Sequence, residues 1–253
     1  MKYLTILFAF GIIIPFTASA QANRSRSPFR KTYIGIGLSF VGHSLDNSLS
    51  PEGNILKGNF GAGTGAAFET GKNFYFLKRS QGKKINVGLD WTMLSASYNS
   101  VKKSWTSYAN TAGQPNATIA APVVLSLATK LGPVLSINPV EQLVIDIRAQ
   151  VVAGIRGIAL QYNEQNRGFN AYNNRVDQSS SGNGVSDIFK SSFGVKPGFG
   201  ATVRRGIAGL SFDYSPGNQT MDYTTAGTNS TSITAKSASI PFDIKQLKLS
   251  LLF

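Results

Sequence analysis

Apolar and polar residues alternate with a period of two through eight separate stretches of this chain. Thr32–Val41 places Ile34, Ile36, Leu38 and Phe40 on one face and Gly35, Gly37 and Ser39 on the other. Asn59–Glu69 alternates in the same way, with Gly61, Gly63 and Gly65 sharing a face. Lys84–Leu94 sets Ile85, Val87, Leu89, Trp91 and Met93 against Asn86, Gly88, Asp90 and Thr92. Gln142–Val152 sets Leu143, Ile145, Ile147, Ala149 and Val151 against Asp146, Arg148 and Gln150. Ser192–Arg204, Ile207–Ser215 and Phe242–Phe253 follow the same rule. Val123–Ile137 also reads as a strand, with a parity slip at Gly132-Pro133 that predicts a bulge there. Successive side chains of a strand point to opposite faces, so each stretch predicts one. No convincing amphipathic helix separates them, which argues against a βαβ fold.

The connections alternate too. Gly42–Gly58, Ser95–Pro122, Ala153–Ser191 and Pro216–Pro241 are long and rich in Asn, Ser, Thr, Gly and Tyr. Asn138–Glu141 and Arg205-Gly206 are tight turns. Thr70–Lys83 is longer than its place in the rhythm requires, and either extends the second strand or hides two more. Ser50–Asn54 reads as a turn. Most strands run about 9–13 residues, close to the ~9–11 that a tilted membrane strand needs. Long connections on one side and short ones on the other are the signature of an up-and-down barrel across a membrane.

The polar faces carry charge. By parity Glu69, Asp90, Asp146 and Asp213 share the inward face with Lys130, Arg148, Lys196 and Lys248. Eight strands enclose little more than side chains. Four acids and four bases are therefore expected to fill the lumen as an ion-pair network and plug it, with glycines leaving room for the long groups. Asp146 and Arg148 lie on the same wall and are natural members of that network. A soluble sandwich is the main alternative, because it would turn the same apolar faces towards each other.

Composition narrows the setting. The 253 residues contain 26 glycines and no cysteine, which excludes disulfides and thiolate metal sites. Charged residues make up 15 %, and the net charge is +13. Lys2, the apolar run Leu4–Phe16 and Ala18-Ser19-Ala20 read as a secretory signal peptide over 1–20, with Gln21 starting the mature chain. The apolar run falls short of the ~20 residues a spanning helix needs. Residues 21–31 form a basic tail, expected in the periplasm. For an exported basic protein an anionic membrane surface or lipopolysaccharide is a more natural partner than nucleic acid, for which no motif is present.

These features together — the leader with ASA-Q, eight alternating segments and the terminal QLKLSLLF — resemble small Gram-negative outer-membrane β-barrels of the OmpA/OmpX-like or PorT-like superfamily. The resemblance covers 32–253 as pattern and carries no catalytic motif. It implies an all-β, antiparallel up-and-down transmembrane barrel of eight strands (ten through Thr70–Lys83). It also implies periplasmic termini and extracellular long loops. By the same analogy, Leu247, Leu249, Leu251 and Phe253 are the face read by the barrel-assembly machinery.

Candidate chemistry is sparse. The lone histidine, His43, stands near Ser44, Asp46 and Ser48 at the expected outer rim. A His general base for lipid A modification is chemically plausible there, but no G-x-S-x-G nucleophile motif is present. No His or carboxylate cluster predicts a metal, and no phosphate loop or cofactor motif is present. In the third long connection Tyr162, Arg167, Phe169, Tyr172 and Arg175 are candidates for glycan or protein binding. Lys102, Lys103, Trp105 and Tyr108 in the second suit a membrane interface. The expected function is a non-enzymatic membrane-stabilising or adapter barrel whose loops bind envelope or secretion partners. A narrow channel, a lipid A-modifying enzyme using His43 and a soluble secreted adhesin are the alternatives.

Overall fold

A computed structural model describes residues 28–77, 84–164, 167–172, 193–216, 219–229, 232–242 and 245–253. Eight antiparallel strands close into a barrel. They are β1 (Thr32–Gly42), β2 (Gly63–Tyr75), β3 (Ile85–Ser100), β4 (Thr118–Val140), β5 (Leu143–Glu164), β7 (Phe193–Arg205), β8 (Ala208–Ser215) and β11 (Lys245–Leu252). Each predicted stretch corresponds to one of them. The segment after Glu69 extends β2 to Tyr75, and the barrel count is eight. Closure joins β1 to β11 from Gly35↔Leu252 to Gly42↔Lys245. Beyond that ladder, Ile34 and Phe253 exchange backbone hydrogen bonds of 3.1 and 2.9 Å.

The stagger of the barrel follows from the registers. One inward row runs from Arg148 through Gly200, Asp213, Lys248, Ser39, Gly65, Asn99 and Val124. It returns to β5 at Ile158, ten residues from its start. This shear tilts the strands and lets inward side chains from non-adjacent strands meet.

Three further strands continue the sheet beyond the barrel. The lower part of β5 pairs with β7 and its upper part, from Ala159, pairs with β6 (Arg167–Tyr172). The order then runs through β9 (Gln219–Asn229) to β10 (Ser232–Phe242). The third and fourth long connections are therefore partly strands, not only polar loops. The first two carry short helices, α1 (Pro51–Leu56) and α2 (Lys102–Thr111). Ser50–Asn54, expected as a turn, instead starts α1: the Ser50 side chain accepts a hydrogen bond from the Gly53 N–H, and Pro51 stands at the first position.

At the opposite end, Glu141-Gln142 and Gly206-Ile207 make tight turns, with Gln142 and Gly206 both at φ 61°. Part of the basic tail docks here. Phe29 packs on Tyr75 at 5.6 Å, and Arg30 Nη1 donates to the Ile207 carbonyl at 3.0 Å. Residues 1–27, including the expected leader, lie outside the described residues.

The parity slip expected at Gly132-Pro133 does not occur. Inward and outward positions alternate without interruption from Val124 to Ser136, and Pro133 faces out. Val134 is simply an apolar residue pointing inward. The irregularity on this wall lies in β3, where Met93 and Leu94 are both exposed and the register shifts against both neighbouring strands. Such a bulge reverses parity once while keeping Asp90, Thr92, Ser95 and Asn99 inside.

The barrel is inside-out relative to a soluble domain. Its interior is polar, and Ile36, Trp91, Leu127, Val151, Val203, Phe212 and Leu251, on seven strands, are exposed on the outside. The eighth strand, β2, adds Phe68. Among the described residues no apolar strand face is turned towards a second sheet as a sandwich would require.

Candidate functional site

The lumen is packed with ionised groups in two clusters. Nearer the short-turn end, Arg204 Nε lies 3.1 Å from Asp146 Oδ2, and Arg204 Nη2 donates to the Tyr75 hydroxyl at 3.0 Å. The Ser136 hydroxyl donates to Asp146 Oδ1 at 2.5 Å. Further in, Arg148 lies 3.7 Å from Asp90 and 3.2 Å from Asp213, and donates to Ser211 at 2.7 Å. Asp90 also accepts from Gln150 at 2.7 Å and from the Tyr33 hydroxyl at 3.1 Å. Lys130 is shared between Asp213 at 3.7 Å and Glu69 at 2.7 Å. Lys248 completes the set, 3.0 Å from Glu69 and 2.5 Å from Ser95.

Burying charges is costly unless each meets partners of opposite sign and its remaining donors and acceptors are filled. Here every acid has both a cation and hydroxyl or amide donors, while Asp90 Oδ2 and Arg148 Nε make no hydrogen bond among the described residues. Gly200 makes the central contact possible. It stands between Arg148 and Asp213 in the same row, and a Cβ there would lie 2.6 Å from Asp213 Oδ1 and 2.8 Å from Arg148 Nε. Gly200→Val is therefore expected to push the pair apart and cost about 1–3 kcal/mol from overpacking alone. Urea unfolding, followed by tryptophan fluorescence, measures it.

Two members of the expected network behave differently. Asp146 does not pair with Arg148: the two point to different neighbours, and Arg204 reaches Asp146 instead. Lys196 is not in the network. Its Nζ is shielded from solvent and has no hydrogen-bond partner among the described residues, because Glu69 and Asp213 are taken by Lys130, Lys248 and Arg148. Two inward cations were not foreseen, Arg204 and Arg156, both buried. Among the described residues the inner wall of the barrel thus carries four acids and six bases.

Above the ion pairs, a row of amides and hydroxyls crosses the lumen. Gln246 donates to Ser39 at 3.0 Å and to Ser97 at 2.7 Å, and Asn99 Nδ2 donates to the Ser39 carbonyl at 2.8 Å. Two cavities of the lumen each have room for about one water-sized group: one beside Gln246, Lys130 and Lys196, the other at the short-turn end between Tyr33, Asp146 and Arg204.

The long-loop end is closed by an apolar cap. Ile55 of α1, Trp105 and Tyr108 of α2, and Phe60 pack on Val41, Val124, Ile158, Leu160 and Tyr162 of the barrel wall. Trp105 Nε1 donates to the Phe60 carbonyl at 3.1 Å and the indole meets Tyr162 at 5.8 Å. Trp105 and Tyr108, expected at a membrane interface, are buried inside this cap, while Lys102 and Lys103 on the same helix are exposed. Burial raises the Tyr108 phenol pKa, with Glu164 adding to the effect, and its hydroxyl donates to the Leu49 carbonyl at 2.5 Å.

The loop-binding candidates separate in the same way. Tyr162 is 1 % exposed on β5 and cannot meet a partner as a loop residue would. Arg167, Phe169 and Tyr172 lie on β6, whose backbone alone is described. Arg175 lies outside the described residues. His43 is half-buried, and its ring nitrogen contacts the Ser44 carbonyl at 3.4 Å. Asp46 is engaged elsewhere: the Ser48 hydroxyl at 2.6 Å and backbone N–H at 2.9 Å hold its carboxyl below the usual carboxylate range. No described contact joins His43 to Asp46 or to a serine hydroxyl.

Among the described residues no group of His, Asp and Glu is placed to hold a metal, and no helix is long and apolar enough to cross a membrane. Leu249 and Leu251 are exposed on the outward face of β11, which Leu247 and Phe253 share by alternation. No family model matches this chain, and neither a curated protein nor a solved structure matches it.

Proposed function

We propose that this chain is a non-enzymatic outer-membrane β-barrel with a plugged lumen, serving as a membrane-stabilising or adapter protein. The observation that carries the reading is the distribution of side chains on the closed barrel. Large apolar groups are exposed around its outside on all eight strands, while ion pairs fill the inside. Water penalises such a surface by roughly 25 cal/mol per Å² of apolar area, and hydrocarbon does not. A closed sheet also pairs the backbone of each barrel strand with a neighbour on both sides, which lipid demands.

In this reading residues 1–20 are the leader, the short-turn end with both termini is periplasmic, and the cap and long connections face outward. Lys102 and Lys103 then stand at the outer rim, where lipopolysaccharide phosphates are the natural counter-charge. Leu247, Leu249, Leu251 and Phe253 form the strand face offered to the assembly machinery. The sheet β6–β9–β10 extends beyond the barrel and supplies the surface for envelope or secretion partners.

Fractionation tests the proposal. Expressed with its leader in a Gram-negative host, the protein is expected in the outer membrane, released by detergent and not by high salt. Unheated, it is expected to migrate as a compact species that boiling converts to a slower one. In planar bilayers, conductance is expected to stay at background. Recovery in a water-soluble fraction without detergent removes the proposal.

A further inference from the structure

The ion-pair network accounts for every acid in the described lumen and leaves Lys196 outside it. Lys196 opens onto a compartment on the long-loop side of the Glu69 cluster, which Lys130, Arg156 and Lys248 also line. Ser126, Ser215 and Gln246 add polar groups to the same wall, and no carboxylate lines it. Lys130 and Lys248 share one oxygen of Glu69, and the second acid near Lys130, Asp213 at 3.7 Å, is shared with Arg148, so Glu69 and Asp213 are divided among three cations beside the compartment. Positive potential therefore converges on a small space, and the Lys196 ammonium is held out of solvent without a protein acceptor among the described residues. An ammonium so placed is costly to keep charged unless something of opposite sign meets it.

We propose that this compartment is a binding site for a small monovalent inorganic anion of chloride's size, with Lys196 Nζ as its principal donor. Size decides the class. The space is of the order of one water, nearest in size to a single-atom halide and well below tetrahedral phosphate or sulfate. Water alone would fill the space and supply an acceptor, but would not offset the charge. The site is internal to the closed sheet, so it does not depend on whether the outer surface lies in lipid.

The test is thermal unfolding of the full-length mature protein, folded in detergent, at fixed ionic strength with chloride replacing gluconate. The wild-type midpoint is expected to rise with chloride and to saturate, as binding to the folded state alone requires. Bromide should act alike, and sulfate should not. Lys196→Met, which keeps the stem and removes the charge, is expected to weaken the apparent chloride affinity by about tenfold or more. A wild-type midpoint indifferent to chloride, or a Lys196→Met protein with the wild-type dependence, overturns the site. Should the variant not fold, bromide-soaked crystals of the wild type serve instead. An anomalous peak within hydrogen-bonding distance of Lys196 Nζ is expected, and a compartment without one overturns the proposal. Heat-modifiable migration reads barrel formation separately, so failure here leaves that result untouched.

Discussion

Replacing Arg148 by methionine is expected to lower the unfolding free energy by about 3–5 kcal/mol, the usual consequence of removing one partner of a buried ion pair. Arg148 is the cation between two acids, 3.7 Å from Asp90 and 3.2 Å from Asp213. Methionine keeps much of its stem, so the loss reports charge and hydrogen bonding more than a cavity. Asp213 retains Lys130 at 3.7 Å, whereas Asp90 retains only the neutral donors Tyr33, Thr92 and Gln150. The orphaned charge is therefore Asp90. Adding Asp90→Asn to Arg148→Met should recover about 1–3 kcal/mol, the coupling typical of residues in one network. Urea unfolding in detergent, followed by tryptophan fluorescence, gives both numbers. A loss below about 1 kcal/mol for Arg148→Met would place the pair among solvated surface contacts and would contradict a dry, filled lumen.

The members of this network were legible in the sequence because the period of a strand is two. Once Ile145, Ile147 and Val151 define one face of β5, Asp146, Arg148 and Gln150 must lie on the other. Their partners were not legible. Arg148 reaches Asp213 across Gly200, and that row exists only after β5, β7 and β8 are set in register. Sequence adjacency favoured Asp146 with Arg148, whereas registry gives Asp146 to Arg204. Arg204 itself follows the parity of Lys196 and Gly200. Its place at the end of the strand beside the turn hides it, because alternation usually stops there.

The inner face also changes chemistry along its length. On β5 it reads Arg148, Gln150, Val152, Gly154 and Arg156, then Ile158, Leu160 and Tyr162. Below, this face meets ion pairs, and above, it meets the cap helices, so the sense of the hydrophobic alternation inverts while the geometry continues unchanged. A reading keyed to polar-in, apolar-out ends the strand at Val152 and misses Arg156. The same inversion puts Val124 inside β4. Nor does α2 announce itself: Trp105 and Tyr108 follow two lysines, a composition equally suited to a membrane rim, and only the packing against Phe60 and Tyr162 places them inside.

The second large effect belongs to that cap. Trp105→Ala removes the largest fully buried side chain among the described residues, which is in ring contact with both Tyr108 and Tyr162. The substitution also leaves the Phe60 carbonyl without the indole donor that anchors the 59–62 segment to α2. Truncation of a buried tryptophan costs about 3–5 kcal/mol. That loss need not fall on the barrel. The cap is joined to the wall by side-chain packing and a few backbone contacts, whereas the barrel strands are joined by continuous ladders. The cap should therefore open as its own unit. Limited proteolysis at 43–62 and 101–117 is expected to accelerate by about a hundredfold or more in Trp105→Ala, the rate ratio that such an energy implies when opening precedes cleavage. Heat-modifiable migration of the barrel should persist. Leu56→Ala on α1, at a side chain 44 % exposed, should change neither readout appreciably. Equal cleavage of Trp105→Ala and wild type would mean that the cap residues hold the long connections by some other contact, and that the apolar cluster does not close the outer mouth.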